Sequence, residues 1–567
     1  MLKRTLLLVF PLSLVSLTMC GTSSNSGSSG DDGGSDATSS SSSSSSSGGS
    51  GGSSGSSGGS SGGASSGSSS GGGGDAGPTV GASVLMYHNH INRDGAFVDP
   101  KITTAAAAGF ARDTTFDGTV TDNVYASPLY VENGVGGKGT FYVATEGNDV
   151  YALDETTGKL VWSKPANFGM PANQSGAGCG NISPIGISGT PAIDLATRLI
   201  VFSAASADSN GNIATHTIYG VSIDDGSTKW SVDVSTLKDS NGVQFNPQPQ
   251  NQRSAVLIVN GIAYVPYGGH AGDCGNYHGW VVGVPLNGKG ARAWATQVAA
   301  AGIWAAGGAA SDGQSIFVAT GNGFDQNATW AQSEGVFRFD PGPSFTGQTA
   351  DYFAPNNWQD LDNGDVDIDG SGPLVIDAPS MTPSKLVMAE GKDGYLYLMD
   401  RTNLGGITSA PNTANVGALQ VSTGEISNGS AFATIGGTTY VVIRPNGGSG
   451  GANCPNGTSG ELVGVKLDAT AASKMTVAWC ANANAAGSPI ITSSDGTHDP
   501  IVWVAGGDSS NDGDNQLHAF DLLTGNVVFA GGGSGDAFTT TVHHFGTLAA
   551  VHGRIFATGD GTLYAFK

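Results

Sequence analysis

The chain has 567 residues, with 46 Asp and Glu against 23 Lys and Arg and a formal net charge of −23. A body this acidic repels nucleic acid and anionic lipid head groups, which excludes both as partners of its surface. Only 12% of the residues are charged, about half the usual share, and Gly, Ser, Thr and Asn take over the surface, as in many secreted β proteins.

The first element is an export signal, residues 1–19. Lys3 and Arg4 precede an apolar run from Leu6 to Leu17, shorter than the roughly 20 residues a membrane span needs. Leu17, three residues before Cys20, resembles a bacterial lipobox, in which the cysteine is lipidated after cleavage. Met19 departs from the small residue usual there, and a plain secretory signal is the alternative reading. Gly21 after the cysteine implies, by the sorting rule that accompanies the resemblance, delivery to the outer membrane. Residues 20–78 then form a tether. They are almost wholly Ser and Gly, with too little apolar area to offset chain entropy, and are expected to be disordered with a span on the order of 40 Å.

Residues 79–567 are read as one all-β domain. The unit that recurs is Val143-Ala-Thr-Glu-Gly-Asn-Asp-Val-Tyr-Ala-Leu-Asp-Glu-Thr-Thr-Gly-Lys-Leu-Val-Trp162. Period-two alternation makes its first part a strand, Glu155–Gly158 a turn, and Leu160–Trp162 a returning strand closed by a large ring. Degenerate copies end at Trp230, Asp400, Gly525 and Phe566. Inner strands opening on small residues begin near Ala126, Gly189, Ser254, Gly307, Gly370, Gly429, Gly487 and Gly546. Eight such units predict an eight-bladed β-propeller, four-stranded sheets set radially about a channel, with seven blades as the alternative because the fourth is the least regular. The last unit stops at Lys567 without its outer strand, and Gly109–Phe116 looks like an outer strand without a blade. Pairing of these N- and C-terminal strands is expected to close the ring.

The Ala152-Leu-Asp, Thr157-Gly and Trp162 pattern resembles the repeat of the pyrroloquinoline-quinone (PQQ) family of β-propellers. Gln250-Asn-Gln-Arg253, Tyr277-His-Gly-Trp280, Gly302-Ile-Trp304, Thr320-Gly-Asn322 and Gly391-Lys-Asp-Gly-Tyr-Leu-Tyr-Leu398 look like a subgroup of exported bacterial propellers without a settled activity. The resemblance runs from about Val84 to Lys567 and implies fold far more than chemistry. In that superfamily the dehydrogenases are similar to one another in two adjacent cysteines above the quinone and an acidic calcium cluster beneath it. No two cysteines are adjacent here and no haem-attachment motif occurs, so a bound PQQ is not expected. Trp162, Trp230, Trp294 and Trp479 are read as rings packed between blades.

Several residues invite chemistry. Asp365-Val-Asp367-Ile-Asp369-Gly370 alternates oxygen donors before a glycine, the pattern of a candidate calcium loop, although Pro373 and Ile376 stand where further ligands would help. An Asp-rich surface loop is the alternative. His88 with His90, His270 with His278 around Asp273 and Cys274, and His543 with His544 are histidine pairs better read as packed or surface residues than as a metal centre. Gly447-Gly-Ser-Gly-Gly451 and the glycines at 134, 136 and 139 match nucleophile and dinucleotide motifs by composition only. Arg253, His278, Trp280 and Trp304 could line the mouth of the channel and grip a polar ligand, or could be structural. Cys179, Cys274, Cys454 and Cys480 remain once Cys20 is set aside, an even number in an oxidising compartment. Placement in successive loops favours Cys179 with Cys274, and placement in one blade favours Cys454 with Cys480.

The function expected from these observations is a non-enzymatic binding scaffold of the cell envelope, lipid-anchored, on the periplasmic side or at the surface, with a protein or glycan partner. Its only membrane contact is through the anchor, and calcium is the one cofactor considered. The lipoproteins of outer-membrane barrel assembly resemble it in fold and anchoring. The long tether and enlarged loops depart from them, so their role is not carried over. The alternative is an exported oxidoreductase or hydrolase working at the channel mouth.

Overall fold

The computed structural model describes residues 83–567, apart from 165–167, 325–328, 446–453, 456–458 and 508–512. The export signal, Cys20, the Ser/Gly tether and the Gly447–Gly451 match lie outside the described residues.

Alternating apolar residues give short strands, and these form eight sheets, one per repeat, each with its inner strand first. Blade one is Leu129–Val131, Thr140–Ala144, Val150–Asp154 and Leu160–Lys164, paired antiparallel throughout. The remaining inner strands are Ala192–Asp194, Leu257–Val259, Ala310–Ser311, Leu374–Asp377, Ala431–Ile435, Ile490–Ser493 and Leu548–Val551. The count is eight, and the seven-bladed alternative falls. Blade four is irregular because Gly406–Ile407 adds a parallel strand outside Tyr352–Ala354.

Two local devices hold neighbouring blades together. In the turn after the third strand, Asp154 Oδ1 accepts bonds from the amides of Thr156 and Thr157 and from the Thr157 hydroxyl. Asp521 does the same for Leu523 and Thr524. The glycine that follows, Gly158 or Gly525, sits at φ near +70°, where any other residue is strained. Against each such glycine lies the large ring of the preceding blade. An added Cβ would come within 2.6 Å of Trp479 at Gly525, 2.6 Å of Trp230 at Gly288 and 2.9 Å of Trp162 at Gly226. The indole N–H groups of Trp162 and Trp479 then donate to the carbonyls of Ile223 and Leu522 in the next blade. Trp294 packs on Phe337 and Phe339 of blade four. The inter-blade reading of these tryptophans holds.

Closure follows the same logic. Blade eight has three strands of its own, ending with Thr562–Phe566. The segment before blade one supplies the fourth edge: Ala111 and Lys567 exchange both backbone bonds, at 2.9 and 3.0 Å, and Asp113 N donates to Ala565 O. Thr119 pairs again with Thr562. Phe116 takes the place of the missing tryptophan and meets Gly158 of blade one.

Residues 83–99 wind round the inside of the ring and touch every blade in order. Val84 pairs with Tyr130 of blade one, Ile193 N of blade two donates to Leu85 O, and Arg93 donates to Val256 O and Ala309 O of blades three and four. Val375 and Phe432 of blades five and six donate to Asn92 O and Asp94 O. Ala96–Val98 then lies parallel to the inner strand of blade seven, and Asp99 accepts from Gly553 of blade eight. His88 and His90 therefore do not share a strand face: His88 sits at φ +52° in a turn and is buried, while His90 pairs with Asp94 at 2.9 Å.

Candidate functional site

Antiparallel order places the loops that precede each inner strand on the same end of the ring as the loops joining second to third strands. At that end a cavity of about 320 Å³ opens into the channel mouth. Arg253, Trp304 and Asp367 reach it from the first class of loop, and His270, Asn322 and Lys392 from the second. Tyr87, from the segment that winds through the ring, packs with Ala255 and Ala306, and Phe545 lies against this cluster at the base of the cavity.

The motifs noted in the sequence build this mouth by pinning loops together. The Gln250 side chain donates to the carbonyls of Gly268 and His278 and accepts from the His278 amide, which locks the run leading to Arg253. Ser254 Oγ donates to Ile303 O. Arg253 is only 8% exposed, and its guanidinium lies 5.0 Å from the Tyr125 ring centre and 4.6 Å from that of Phe545. The Trp304 ring lies 6.3 Å from Phe545 and 5.4 Å from the Lys392 ammonium. Of the four residues proposed as ligand contacts, Arg253 and Trp304 line the cavity. Trp280 and His278 do not. Trp280 is fully buried in the strand Trp280–Pro285 against Phe245, and the His278 ring bonds to Thr296 O at 2.8 Å. Of the other histidines, His270 and His544 line the cavity, while His543 stacks on Tyr125 and bonds to Asp560.

The acidic triplet takes a form other than the expected calcium loop. Lys392 Nζ stands between Asp365 Oδ1 at 3.1 Å and Asp367 Oδ2 at 2.5 Å. Asp367 Oδ1 also accepts from Asn322 N, and an added Cβ on Gly321 would fall within 2.3 Å of the same oxygen. Asp369 turns away and accepts from the amides of Trp304 and Ala305. A lysine charge replaces the cation and the third carboxylate is spent on backbone. Among the described residues no group of three or more His, Cys, Asp and Glu is arranged to hold a metal ion. The donors at Asp365, Asp367 and Asp369 thus do not converge as a calcium loop requires. Burial works against the Lys392 charge, but Asp367 and Asp365 more than offset it and raise its pKa. Burial dominates at Asp367, whose carboxyl titrates above its usual value.

Sequence reasoning missed a ring of buried glutamates around the mouth. Glu146 accepts from Gly186 N of the next blade, Glu334 from Ile368 N, Glu390 from Ser430 Oγ, and Glu461 from Ala483 N and Asn484 N. Desolvation pushes Glu146 and Glu390 up to about 7, and Glu334 well above the carboxylate range. The signal was present, since each Glu adjoins glycine beside an apolar strand.

The disulfides are those expected. Cys179 and Cys274 are joined with a Cα separation of 5.9 Å, and Cys454 and Cys480 with 5.7 Å. The first borders the cavity, whose lining includes Asn181, Gly272 and Asp273.

Residues 123–301 match the family profile described as outer membrane protein assembly factor BamB. No curated protein matches significantly. Among solved structures, the chain is similar to the quinohemoprotein alcohol dehydrogenase of Comamonas testosteroni at 14% identity and a TM-score of 0.58, covering 85% of this chain and 80% of that one. It is similar to a europium-containing methanol dehydrogenase at 14% identity and a TM-score of 0.57, covering 86% and 98%. The quinohemoprotein alcohol dehydrogenase ADHIIG of Pseudomonas putida HK5 gives 13% and 0.56, covering 86% and 80%. Identities this low speak for fold alone. By that fold the protein is an eight-bladed β-propeller, and its residues 123–301 are similar to the profile described for that assembly factor.

Proposed function

We propose that the protein is an exported binding propeller of the cell envelope, held by a lipid on Cys20, whose channel mouth receives a glycan. The observation that carries this reading is the one-sided mouth. Residues 83–99 bond to all eight blades inside the ring, and the cavity at the channel mouth is lined by flat rings and hydrogen-bonding side chains. Trp304, Phe545 and Tyr277 offer flat apolar faces, while Asn251, Asn322 and the Asp367–Lys392 pair offer hydrogen bonds, the mixture a sugar ring needs. About 320 Å³ suits one or two sugar rings better than a length of peptide. The acid-to-base ratio, the lipobox resemblance and two disulfides support export.

The test is glycan-array binding by detergent-solubilised full-length protein beside its Trp304→Ala variant. Specific binding that the variant loses supports the proposal. An array without a hit, together with a protein adduct from a photo-crosslinker placed at Phe324 on the rim, would replace the glycan with a protein partner. A stoichiometric chromophore in the purified protein would favour the oxidoreductase alternative.

A further inference from the structure

The two basic side chains lining the cavity differ in one respect. Lys392 is matched by Asp365 and Asp367. Arg253, 8% exposed, has no hydrogen bond or ion pair among the described residues. Its guanidinium is held between the rings of Tyr125 and Phe545, which fix its plane without neutralising it. Arginine does not give up its charge in proteins, and a buried cation without a counter-charge is unfavourable unless something arrives to balance it. The carboxylate that acts on it electrostatically, Glu146, is itself pushed up to about 7 by burial and spends one oxygen on Gly186 N.

We infer that Arg253 is the receptor for the carboxylate of an acidic sugar, a uronic acid, seated in the channel-mouth cavity; the inference rests on the glycan-binding reading. A planar fork with two parallel N–H donors matches a carboxylate in two points. The rest of the cavity sets the orientation. Trp304 lies beside Phe545 and provides a face for the ring. The wall carrying Asp365, Asp367, Lys392 and Asn322 has two carboxylates to one ammonium and offers hydrogen bonds to hydroxyl groups. The unmatched charge of Arg253 and the hydrogen-bonding Asp365–Lys392–Asp367 group together suit a ligand with one carboxylate and several hydroxyls.

The experiment is calorimetric titration of full-length protein with D-glucuronate, D-galacturonate, D-glucose and inorganic phosphate. At least one uronate is expected to bind ten-fold or more tighter than glucose, and its affinity should fall as salt rises. Arg253→Met should bring the uronate's affinity down to that of glucose measured on the same variant, and Arg253→Lys should keep part of the preference. Equal affinity for acidic and neutral sugars, or a preference that survives Arg253→Met, overturns the inference and leaves the glycan reading standing. Phosphate binding as tightly as the better uronate also overturns it, as an adventitious ion only. Failure of every sugar to bind removes both readings. Should Arg253→Met not fold, the acid-to-neutral ratio of the wild-type protein at low and high salt decides the question.

Discussion

The two ends of the propeller are built on opposite terms. At the end carrying the Asp-Thr-Gly turns, polar groups are spent locally: Asp154 and Asp521 each satisfy three donors, and the Trp162 and Trp479 N–H groups find the next blade's carbonyls. At the channel-mouth end, buried atoms of Glu146, His270, Asp369 and Glu390 have no hydrogen-bond partner among the described residues, against the Trp230 Nε1 at the turn end. Buried polar groups are normally satisfied because desolvating them is costly. The contrast is one of degree: the turn end meets most of its polar groups within the ring, while more of the orphaned atoms gather at the channel mouth.

The sharpest way to break that comparison is at closure. Deleting residues 563–567 removes the strand that Ala111 and Asp113 pair with, and with it core residues Leu563 and Phe566. The whole ring should lose stability in a single cooperative transition, to the point that little folded protein is recovered on expression. An unchanged denaturation midpoint would mean that the ring is closed by something else.

Trp479→Ala tests a single inter-blade contact at the turn end. The ring is buried, fills the space over Gly525 and bonds to Leu522 O, so its loss should cost about 3–5 kcal/mol in chemical denaturation. Sugar binding by whatever folded protein remains should be unaffected, because no part of the cavity is touched.

Removing the Cys179–Cys274 bond as a double serine variant should cost about 2–4 kcal/mol in the chain-entropy picture. Here the effect belongs to the channel-mouth end. Affinity in the cavity should fall, and limited proteolysis should cut near Gly178 or Gly272 before the sheets open. Simultaneous cleavage throughout the blades would blur the distinction between the two ends.

The smallest effect is that of pH. Burial raises Glu390 from its ordinary value of 4.5 to about 7 in the folded state. A raised carboxyl binds its proton more tightly folded than unfolded, so its contribution to stability is greatest below about pH 4.5 and declines as pH rises through about 7. Glu390→Gln should flatten this part of the stability profile by on the order of 1–3 kcal/mol. Its melting temperature relative to wild type should be higher at pH 8 than at pH 5. A constant difference across that range would show that Glu390 does not titrate there.

The sequence by itself determined the ring. The repeat from Val143 to Trp162 carries strand, turn and packing ring within twenty neighbouring residues, and such local patterns survive without knowledge of the rest of the chain. Eight blades, the closing pair around Gly109–Phe116 and both disulfides followed from spacing, because a propeller converts order along the chain into position around the axis. Only the tertiary structure decided the site. Arg253 and Trp304 meet Lys392 and Phe545 across blades separated by up to about three hundred residues. Trp280 and His278, equally eligible by composition, turn into the blade because strand parity points them there. The Asp365–Asp369 run looked like a cation loop until Lys392, remote in sequence, supplied the cation from the neighbouring turn. The path of residues 83–99 through the ring was likewise hidden. Its bonds are distributed over all the blades in turn, and contacts that exist only once the ring has formed leave no periodic trace in the segment that makes them.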